Sequence, residues 1–312
     1  MTPVRRPMVG VAVLAAGLAM LVACSTARGE SPPPAAGPGD FAGLVTVDGR
    51  QLYLECHGSG GPTVVLQSGF GNAADIWSVG AERPPAVMEG VAGFTRVCAY
   101  DRPGSTRVST DDGQISETPL PARSQPAPMP RTAADVVGEL HALLTTAGVP
   151  GPYLLVGHSL GGPFTQLYAR TFPDEVAGIV LVDPTPPALR DLVTPAQWET
   201  FAGTVAAPPS PIPGYTVEAY ELGASMDQVR DAPPSPRVPA TILVAQNVDA
   251  VPPGDPSADA VAAIERVRPE AFARLAADIP GAQLVTVPDT SHYIQIQRPD
   301  AVIGAVRTVA GR

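Results

Sequence analysis

The sequence contains no lysine, and all 20 of its basic residues are arginines. Lysine codons are rich in A and T, so we interpret this absence as the mark of a GC-rich genome rather than as a physical adaptation. The 30 acidic residues outnumber the arginines and give a formal net charge of −10. Because a nucleic-acid-binding protein needs clusters of basic residues, this balance argues against nucleic acid as a partner.

The apolar run near the N-terminus, from Met8 to Val22, is too short to cross a bilayer comfortably. Arg5 and Arg6 precede it, as in the positively charged start of a secretory signal. We therefore expect residues 1–23 to be a signal peptide that is removed on export. A short N-terminal membrane anchor is the alternative.

The run ends in Leu21-Val22-Ala23-Cys24, which resembles a bacterial lipobox. The resemblance implies that Cys24 receives a diacylglyceryl group and becomes the new N-terminus; two acyl chains anchor a protein stably, whereas one holds it only marginally. Residues 24–40 are rich in Pro, Gly and Ser and predict an extended, flexible tether. We expect an exported protein that is anchored to the outer face of the cell membrane. An ordinary secretory signal with a chance cysteine is the alternative.

The remaining residues, 41–312, are long enough for one large domain with a buried core, and they contain no internal repeat. Short apolar runs alternate with helical patterns, for example the amphipathic segment Thr132–Ala147. Continuous apolar strands that alternate with helices predict a mostly parallel sheet covered on both faces. Residues 185–239 are rich in proline and lack strand patterns, which predicts a small inserted cap with a few short helices.

One short motif carries most of the chemistry, Gly157-His158-Ser159-Leu160-Gly161-Gly162, which lies between a strand-like run and a helical pattern. It is the G-x-S-x-G pattern in the strand–turn–helix context of a nucleophile elbow. A serine on such a sharp turn needs unusual backbone angles, and side chains in place of the flanking glycines would crowd the turn. We therefore predict Ser159 as a nucleophile and the Leu160 N–H, at the helix start, as an oxyanion donor.

With this motif the sequence resembles the α/β-hydrolase family, in particular its small bacterial members of esterase, lipase and peroxidase-like type. Two further segments carry the resemblance, Tyr100-Asp101-Arg102-Pro103-Gly104 and Ser291-His292-Tyr293. The resemblance runs from about Leu44 to Val309, apart from most of the cap. It implies an α/β-hydrolase fold: a mostly parallel eight-stranded sheet with helices on both faces and a cap at about residues 185–239.

The chain has four histidines, and their positions single out one as the general base. His158 precedes the nucleophile, so its side chain leaves the turn in another direction. His141 lies within a predicted helix, on its surface. His57 ends an early strand, and we interpret it as structural. His292 follows the last predicted strand, where the resemblance places the base. There it can take the Ser159 proton and return it to a leaving group.

Two aspartates compete for the role of the catalytic acid. Asp183 follows the sixth predicted strand and Asp249 follows the seventh, and either satisfies the chain order Ser, Asp, His. The acid must reach the far nitrogen of the histidine and hold its tautomer. Asp249 occupies the position that most members of the family use, so we favour it and keep Asp183 as the second candidate.

The second oxyanion donor of the family follows the third strand, commonly in a His-Gly-x motif. Here the segment is Gln67-Ser68-Gly69-Phe70-Gly71, in which Ser68 replaces the histidine. The atom required is a backbone N–H, so the replacement need not abolish function. The resemblance implies Phe70 as the donor, and a simple glycine turn is the alternative.

The resemblance also implies a pairing of the two cysteines other than Cys24. The family's strand order places the second and fourth strands side by side, and these strands carry Cys56 and Cys98. Neighbouring strands lie about 4.7–4.9 Å apart, a distance that a disulfide can bridge, and an exported protein meets an oxidising compartment. We therefore predict a Cys56–Cys98 disulfide, with two buried free thiols as the alternative.

Together these features predict a serine hydrolase that cleaves carboxylic esters without a metal or another cofactor. Thioester, amide or cofactor-free peroxide chemistry are close alternatives. A ligand-binding lipoprotein would explain Cys24 but not the triad candidates, and a catalytically dead scaffold would be expected to lack one of them. The partners expected are a small ester-type substrate and, through the lipid anchor, a membrane; the sequence leaves the oligomeric state open.

Overall fold

An eight-stranded sheet forms the centre of the molecule. The computed structural model describes residues 39–80, 84–108, 110–111, 114–115, 119–247, 255 and 257–311. The strands of the sheet are, in chain order, β1 Phe41–Val47, β2 Arg50–His57, β3 Thr63–Gln67, β4 Val97–Tyr100, β5 Tyr153–His158, β6 Val176–Val182, β7 Ala240–Ala245 and β8 Gln283–Val287. Strands β3 to β6 are almost wholly buried, as expected for strands that are covered on both faces.

The strands lie side by side in the order β1-β2-β4-β3-β5-β6-β7-β8. β1 and β2 form a hairpin whose turn residues Asp48 and Gly49 have φ of +48° and +79°, as a type I′ turn requires. β2 is antiparallel to β4, and the other neighbours are parallel. The predicted fold is thus confirmed, and the carboxyl ends of the parallel strands meet along the edge where such sheets bind ligands.

Helices cover both faces of the sheet. In chain order they are α1 Val87–Ala92, α2 Ala133–Thr146, α3 Gly161–Thr171, α4 Leu189–Leu192, α5 Pro195–Ala206, α6 Leu222–Asp231, α7 Ala258–Asp278, α8 Ile294–Gln297 and α9 Pro299–Val309, with 3₁₀ turns at Ala74–Ser78 and Pro173–Glu175. Successive strand residues point to opposite faces: Val64 and Leu66 share a core with α1 and α9, whereas Val65 shares one with α2 and α3. No helix in the described part of the chain is long and apolar enough to cross a membrane.

Local signals account for the ends of the amphipathic helix α2. Thr132 and Asp135 form a reciprocal capping box at its start, and Gly148, with φ of +65°, follows its end. The chain between β4 and this helix contains two short strand pairs. They are Thr106–Arg107 with Leu120–Pro121 and Thr110–Asp111 with Gln114–Ile115.

Between β6 and β7 the chain leaves the sheet and forms a helical cap of α4, α5 and α6. Trp198 of α5 is buried in the core that also contains residues of α2, α3 and α7. An isolated bridge between Arg131 and Tyr220 ties the cap to the start of α2. Phe201 of α5 lines the same pocket as Ser159, so the cap lies over the carboxyl end of the sheet.

A disulfide joins Cys56 of β2 to Cys98 of β4. The two residues are directly opposite each other in the antiparallel ladder, and their Cα atoms are 4.0 Å apart. Both are fully buried on the face of the sheet that packs against α2 and α3. The predicted pairing is thus confirmed, and the bond ties the N-terminal hairpin to the parallel part of the sheet.

Candidate active site

Ser159 lies on a sharp turn between β5 and α3. Its φ of +52° falls in the left-handed region, which residues other than glycine rarely adopt. The turn is also crowded: a Cβ on Gly157 would lie 2.5 Å from the Gly161 carbonyl oxygen, and a Cβ on Gly161 would lie 2.4 Å from the Gln67 carbonyl oxygen. Glycine is therefore required at both positions, and the strained turn presents the serine hydroxyl at the edge of the sheet.

His292 lies in the loop between β8 and α8, and its Nε2 is 2.9 Å from the Ser159 Oγ. Two hydrogen bonds hold this loop. The Ser291 N–H donates to Gln297 Oε1 (2.7 Å), and the Asp289 N–H donates to Gln246 Oε1 (2.9 Å). The serine hydroxyl can donate to Nε2 when the ring carries its proton on Nδ1. The structure thus brings together the predicted nucleophile and the predicted base.

The partner of the other ring nitrogen of His292 is Asp183, whose Oδ2 lies 2.7 Å from Nδ1. Asp183 directly follows β6, is buried and has a φ of +41°. Position in the family favours Asp249 as the acid, with Asp183 second. Nδ1 carries at most one proton, and that proton faces Asp183. The geometry of the described residues therefore favours Asp183, the second candidate, as the acid. Asp249, the first candidate, lies outside the described residues, so its role stays a prediction.

Arg268 of α7 and the backbone of β7 hold the other carboxylate oxygen of Asp183. The Arg268 guanidinium and the Ala245 N–H (3.0 Å) both donate to Asp183 Oδ1. Burial of Asp183 favours its protonated form, but the hydrogen bond to His292 and the charge of Arg268 outweigh burial and lower the pKa of Asp183 below its ordinary value. Asp183 is therefore a carboxylate at neutral pH, and both of its oxygens accept hydrogen bonds.

His158, the residue before Ser159, supports the His292 loop from inside the protein. It is fully buried, and its Nε2 lies 2.9 Å from the His292 carbonyl oxygen. Burial, and then the neighbouring His292, lower the pKa of His158 to about 3. The ring is therefore neutral near pH 7 and donates its Nε2 proton to that carbonyl. His158 positions the backbone of His292 and makes no hydrogen bond to the Ser159 hydroxyl.

The two predicted oxyanion donors, the N–H groups of Phe70 and Leu160, belong to residues that line the pocket beside Ser159. Leu160 precedes α3, where backbone N–H groups have no acceptor within the helix. Among the described residues, neither N–H has a hydrogen-bond acceptor. The Phe70 loop is close to the nucleophile, since a Cβ on Gly69 would lie 3.1 Å from the Ser159 Cβ. Both N–H groups are thus available to an oxygen that becomes negatively charged at this point.

A pocket of about 310 Å³ opens onto Ser159 and His292. The cap and α7 form most of its wall, which is mainly apolar. The apolar side chains that line the pocket include Phe70, Leu160, Pro184, Pro186, Leu189, Phe201, Val205, Leu222, Ile264 and Phe272. Thr204, Glu265 and Arg268 are among its polar members. The site can therefore bind a largely apolar group next to the serine hydroxyl.

Comparison with known proteins decides the family. The sequence model of the Alpha/beta hydrolase family matches residues 56–305. The chain belongs to this family. The matched span runs from the end of β2 into α9 and contains Ser159, Asp183 and His292, so the whole candidate site of this α/β hydrolase lies within it.

Three similar proteins illustrate the range of this α/β hydrolase's relatives. The uncharacterized protein YqjL of Bacillus subtilis is 31% identical over 140 residues, which are 45% of this chain and 46% of YqjL. The pimeloyl-[acyl-carrier protein] methyl ester esterase of Chromobacterium violaceum is 31% identical over 144 residues, which are 46% of this chain and 45% of the esterase. The chain thus matches less than half the length of these curated relatives. The structure of an esterase from Thermogutta terrifontis shows the same fold, with a TM-score of 0.55 and 21% identity over 86% of this chain and 97% of the esterase.

The other residues singled out in the sequence lie elsewhere in the hydrolase. His57 faces Asp40 at the end of β2, with 3.7 Å between His57 Nδ1 and the carboxylate. His141 stacks on Phe172, with ring centroids 4.0 Å apart. Neither histidine lines the pocket, which agrees with the interpretation that neither is the base. Cys24 lies outside the described residues.

Sequence patterns did not identify three charged residues around the site of the hydrolase. Arg268 holds Asp183, and Arg102 and Glu218 form a buried ion pair beside the Phe70 loop, with 2.8 Å between Arg102 Nη2 and Glu218 Oε1. Arg102 belongs to one of the segments that carry the family resemblance, so the sequence did indicate that this position lies near the site. Glu218 in the cap and Arg268 in α7 have no local pattern that marks them.

Proposed function

We propose that this protein is a serine hydrolase that cleaves carboxylic esters through an acyl-enzyme on Ser159. The observation that supports this most is the continuous line of hydrogen bonds from Ser159 Oγ to His292 Nε2 (2.9 Å) and from His292 Nδ1 to Asp183 Oδ2 (2.7 Å). A serine, a histidine and a carboxylate in this arrangement form a catalytic triad, which is recognised by geometry and roles rather than by sequence position.

In the first half-reaction the Ser159 Oγ bonds to the ester carbonyl carbon while His292 Nε2 takes the hydroxyl proton. The carbonyl oxygen becomes an oxyanion, and the N–H groups of Phe70 and Leu160 stabilise its charge. The carbon–oxygen bond to the alcohol then breaks, and His292 gives its proton to the departing oxygen. The acyl group remains on Ser159.

In the second half-reaction a water molecule gives a proton to His292 and bonds to the acyl carbon. The bond to Ser159 then breaks, the serine regains its proton from His292, and the carboxylic acid leaves. Asp183 stays ionised throughout, and its charge stabilises the imidazolium that forms twice in each turnover. The bonds from Ala245 and Arg268 to Oδ1 keep Oδ2 directed at His292.

The pocket favours an ester with an apolar acyl or alcohol group of moderate size. Its volume of about 310 Å³ lies at the lower end of the range of small-molecule sites, about 300–1,000 Å³. Burying each methylene against the wall of Phe201, Leu222 and Phe272 contributes about 0.8 kcal/mol. The relative from Chromobacterium violaceum is named as a methyl ester esterase, which supports an ester substrate. Short and medium acyl esters are therefore the proposed substrates, and thioesters are the next candidates.

A panel of p-nitrophenyl esters, from acetyl to dodecanoyl, tests this proposal on the purified protein. We expect turnover that is fastest for acyl chains that fit the pocket and that declines for longer ones. Ser159→Ala should lower kcat by about 10⁵- to 10⁶-fold, and adding His292→Ala should change little more, because the members of a triad act as a unit. Ser78→Ala, at an exposed serine that does not line the pocket, is the matched control and should stay near wild type.

The same panel separates the alternatives. A folded protein that binds the esters without turning any of them over would favour a ligand-binding lipoprotein. A folded protein that neither binds nor hydrolyses them would favour a catalytically dead scaffold. Turnover that survives Ser159→Ala would contradict the proposed mechanism.

We also propose that the protein is exported and held at the outer face of the cell membrane by a lipid on Cys24. The support lies in the sequence, in the pair Arg5-Arg6, the apolar run after it and the lipobox-like Leu21–Cys24. Cys24→Ala should move the protein from the membrane fraction to the soluble fraction. The control Ser25→Ala should leave the protein in the membrane fraction. Membrane retention of the Cys24→Ala variant would contradict the anchor.

A further inference from the structure

A single buried arginine holds the loop that carries the proposed oxyanion donor Phe70. Arg102 follows β4, and its side chain is 1% exposed. Its Nη1 donates to the Ser68 carbonyl oxygen (2.8 Å), and its Nη2 donates to the Gly69 carbonyl oxygen (2.6 Å). The planar fork of one guanidinium thus fixes two successive carbonyl groups of the loop.

Fixing the Gly69 carbonyl also fixes the Phe70 N–H, because the two groups belong to the same peptide unit. A trans peptide is planar, and its carbonyl and N–H point in opposite directions. The Gly69 oxygen points toward Arg102 and also accepts the Asn72 N–H (3.2 Å). The Phe70 N–H therefore points away from Arg102, and both Gly69 and Phe70 line the pocket that holds Ser159.

Glu218 completes this arrangement from the cap, where it lies between α5 and α6. Its Oε1 accepts the Gly71 N–H (2.5 Å) and Arg102 Nη2 (2.8 Å), and its Oε2 accepts Arg102 Nε (3.0 Å). The Gly71 N–H is thus occupied, whereas the Phe70 N–H remains available to a substrate oxygen. The backbone N–H of Glu218 donates to the Gly104 carbonyl (2.8 Å), so the cap meets the loop after β4 at this residue.

The Arg102–Glu218 pair is a poor source of stability by itself. The two side chains are 1% and 0% exposed, and the desolvation of two charges offsets most of their attraction. Burial is the largest single effect and opposes the charge on Arg102. The charge of Glu218, its hydrogen bond and smaller contributions of nearby groups together outweigh burial and raise the pKa of Arg102 well above its ordinary value, so the guanidinium stays charged. Buried ionic groups that are fully hydrogen-bonded fix one local geometry. The geometry fixed here is that of the Phe70 loop.

We propose that Arg102 and Glu218 are positioning residues for the oxyanion hole, and that the cap controls this hole through Glu218. The inference rests on the proposed function, since it assigns the Phe70 N–H to the oxyanion of ester hydrolysis. Neither side chain lines the pocket, so both act through the loop. Loss of either one frees the Gly69–Phe70 peptide to rotate, which lowers kcat and leaves the binding of substrate in the apolar pocket intact.

The test compares Glu218→Gln with Glu139→Gln, a matched change in a second buried ion pair. Glu139 pairs with Arg50 and Arg131, both at 3.0 Å, and its side chain is 3% exposed. Both of these ion pairs are to residues outside the Phe70 loop. Glu218→Gln should lower kcat by about 10- to 100-fold, somewhat less than the roughly 10²- to 10³-fold loss on removal of a donor. KM should stay within about threefold. Both variants should lower the melting temperature, because each breaks a buried ion pair. Glu139→Gln, however, should leave kcat unchanged.

Two further measurements separate positioning from a general loss of stability. A trifluoromethyl ketone that forms a hemiketal on Ser159 should lose affinity in Glu218→Gln by the same factor as kcat/KM, because its oxyanion uses the same donors. Hydrogen exchange of peptides that cover residues 66–73 should become faster in Glu218→Gln but not in Glu139→Gln. Arg102→Lys keeps the charge and loses the planar fork, so it should show the pattern of Glu218→Gln.

Unchanged hydrogen exchange of residues 66–73 in folded Glu218→Gln would overturn the proposal. A kcat within about threefold of wild type in that variant would overturn it as well. If the wild-type protein hydrolyses no ester, the proposed function fails. In that case the exchange of the 66–73 peptides, compared with the Glu139→Gln control, still decides whether the pair holds the loop.

Discussion

Replacement of Asp183 by asparagine perturbs the hydrogen-bonded line to Ser159 with the smallest change in shape. In the native protein Asp183 Oδ1 accepts from Ala245 and Arg268, and Oδ2 accepts from His292 Nδ1. An asparagine that keeps its carbonyl oxygen at the first two donors must turn its NH₂ group toward Nδ1. Because two donors cannot share a hydrogen bond, His292 must move its proton to Nε2, where it faces the serine hydroxyl.

The loss of activity should be large, because a histidine protonated on Nε2 cannot accept the serine proton. The same exchange in a well-studied serine protease triad lowers kcat about 10⁴-fold. This factor corresponds to about 5 kcal/mol of transition-state stabilisation. Arg268 also loses a charged partner, and removing one member of a buried pair destabilises a protein by about 3–5 kcal/mol. The variant should therefore be both nearly inactive and less stable, and activity must be measured on protein shown to be folded.

The assay is the kcat for a p-nitrophenyl ester, measured on three asparagine variants with circular dichroism as the test of folding. Asp289→Asn is the matched control, since it makes the same change on the loop of His292 at a position whose φ of +57° asparagine tolerates. Asp249→Asn should also stay near wild type. A near-wild-type kcat in Asp183→Asn together with a collapse in Asp249→Asn would refute the assignment of the acid.

The surroundings of Asp75, the disulfide and Gly69 lead to three further expectations. Burial, and then the charge of Asp101, raise the pKa of Asp75 to about 6. Between about pH 4 and pH 6 the folded protein therefore binds more protons than the unfolded chain. The free energy of unfolding should fall as the pH rises through that window. Asp75→Asn should therefore raise the melting temperature above this window and leave it unchanged below, and an equal shift at both would count against the reasoning. The Cys56–Cys98 bond spans 42 positions, so replacing both cysteines by alanine should lower the free energy of unfolding in urea by about 4 kcal/mol; a loss below about 1 kcal/mol would contradict this value. Gly69→Ala places a methyl group 2.7 Å from His158 Nδ1 and should lower kcat at least about tenfold, whereas Gly138→Ala, where a Cβ meets nothing within 4 Å, should leave kcat unchanged.

Short-range signals were sufficient for the fold and for two residues of the site, because each depends on a short stretch of chain. Ser159 belongs to a six-residue motif whose glycines are required by contacts within the turn and with the Gln67 carbonyl. His292 follows the last strand of the sheet. The strand order implied by the family resemblance also placed Cys56 beside Cys98, and the two are in register.

The acid could not be chosen from the sequence, because Asp183 and Asp249 follow neighbouring parallel strands and both satisfy the chain order. In the structure the choice depends on the backbone of Asp183 and on donors that are 62 and 85 positions away, Ala245 and Arg268. Glu218 is still more remote, 116 positions from Arg102. Contacts between such distant residues leave no local pattern, so these roles emerge only from the packing of the folded chain.

Covalent labelling of Ser159 tests most directly the central claim, that this hydroxyl is an activated nucleophile. A fluorophosphonate reacts rapidly with a serine when a neighbouring base takes the hydroxyl proton and N–H donors receive the phosphonyl oxygen. After incubation of the native protein, peptide mass spectrometry should find one phosphonyl group, located on Ser159, and none on the folded Ser159→Ala variant. An unlabelled Ser159 in the native protein, or labelling at the same rate in Ser159→Ala, would contradict the account.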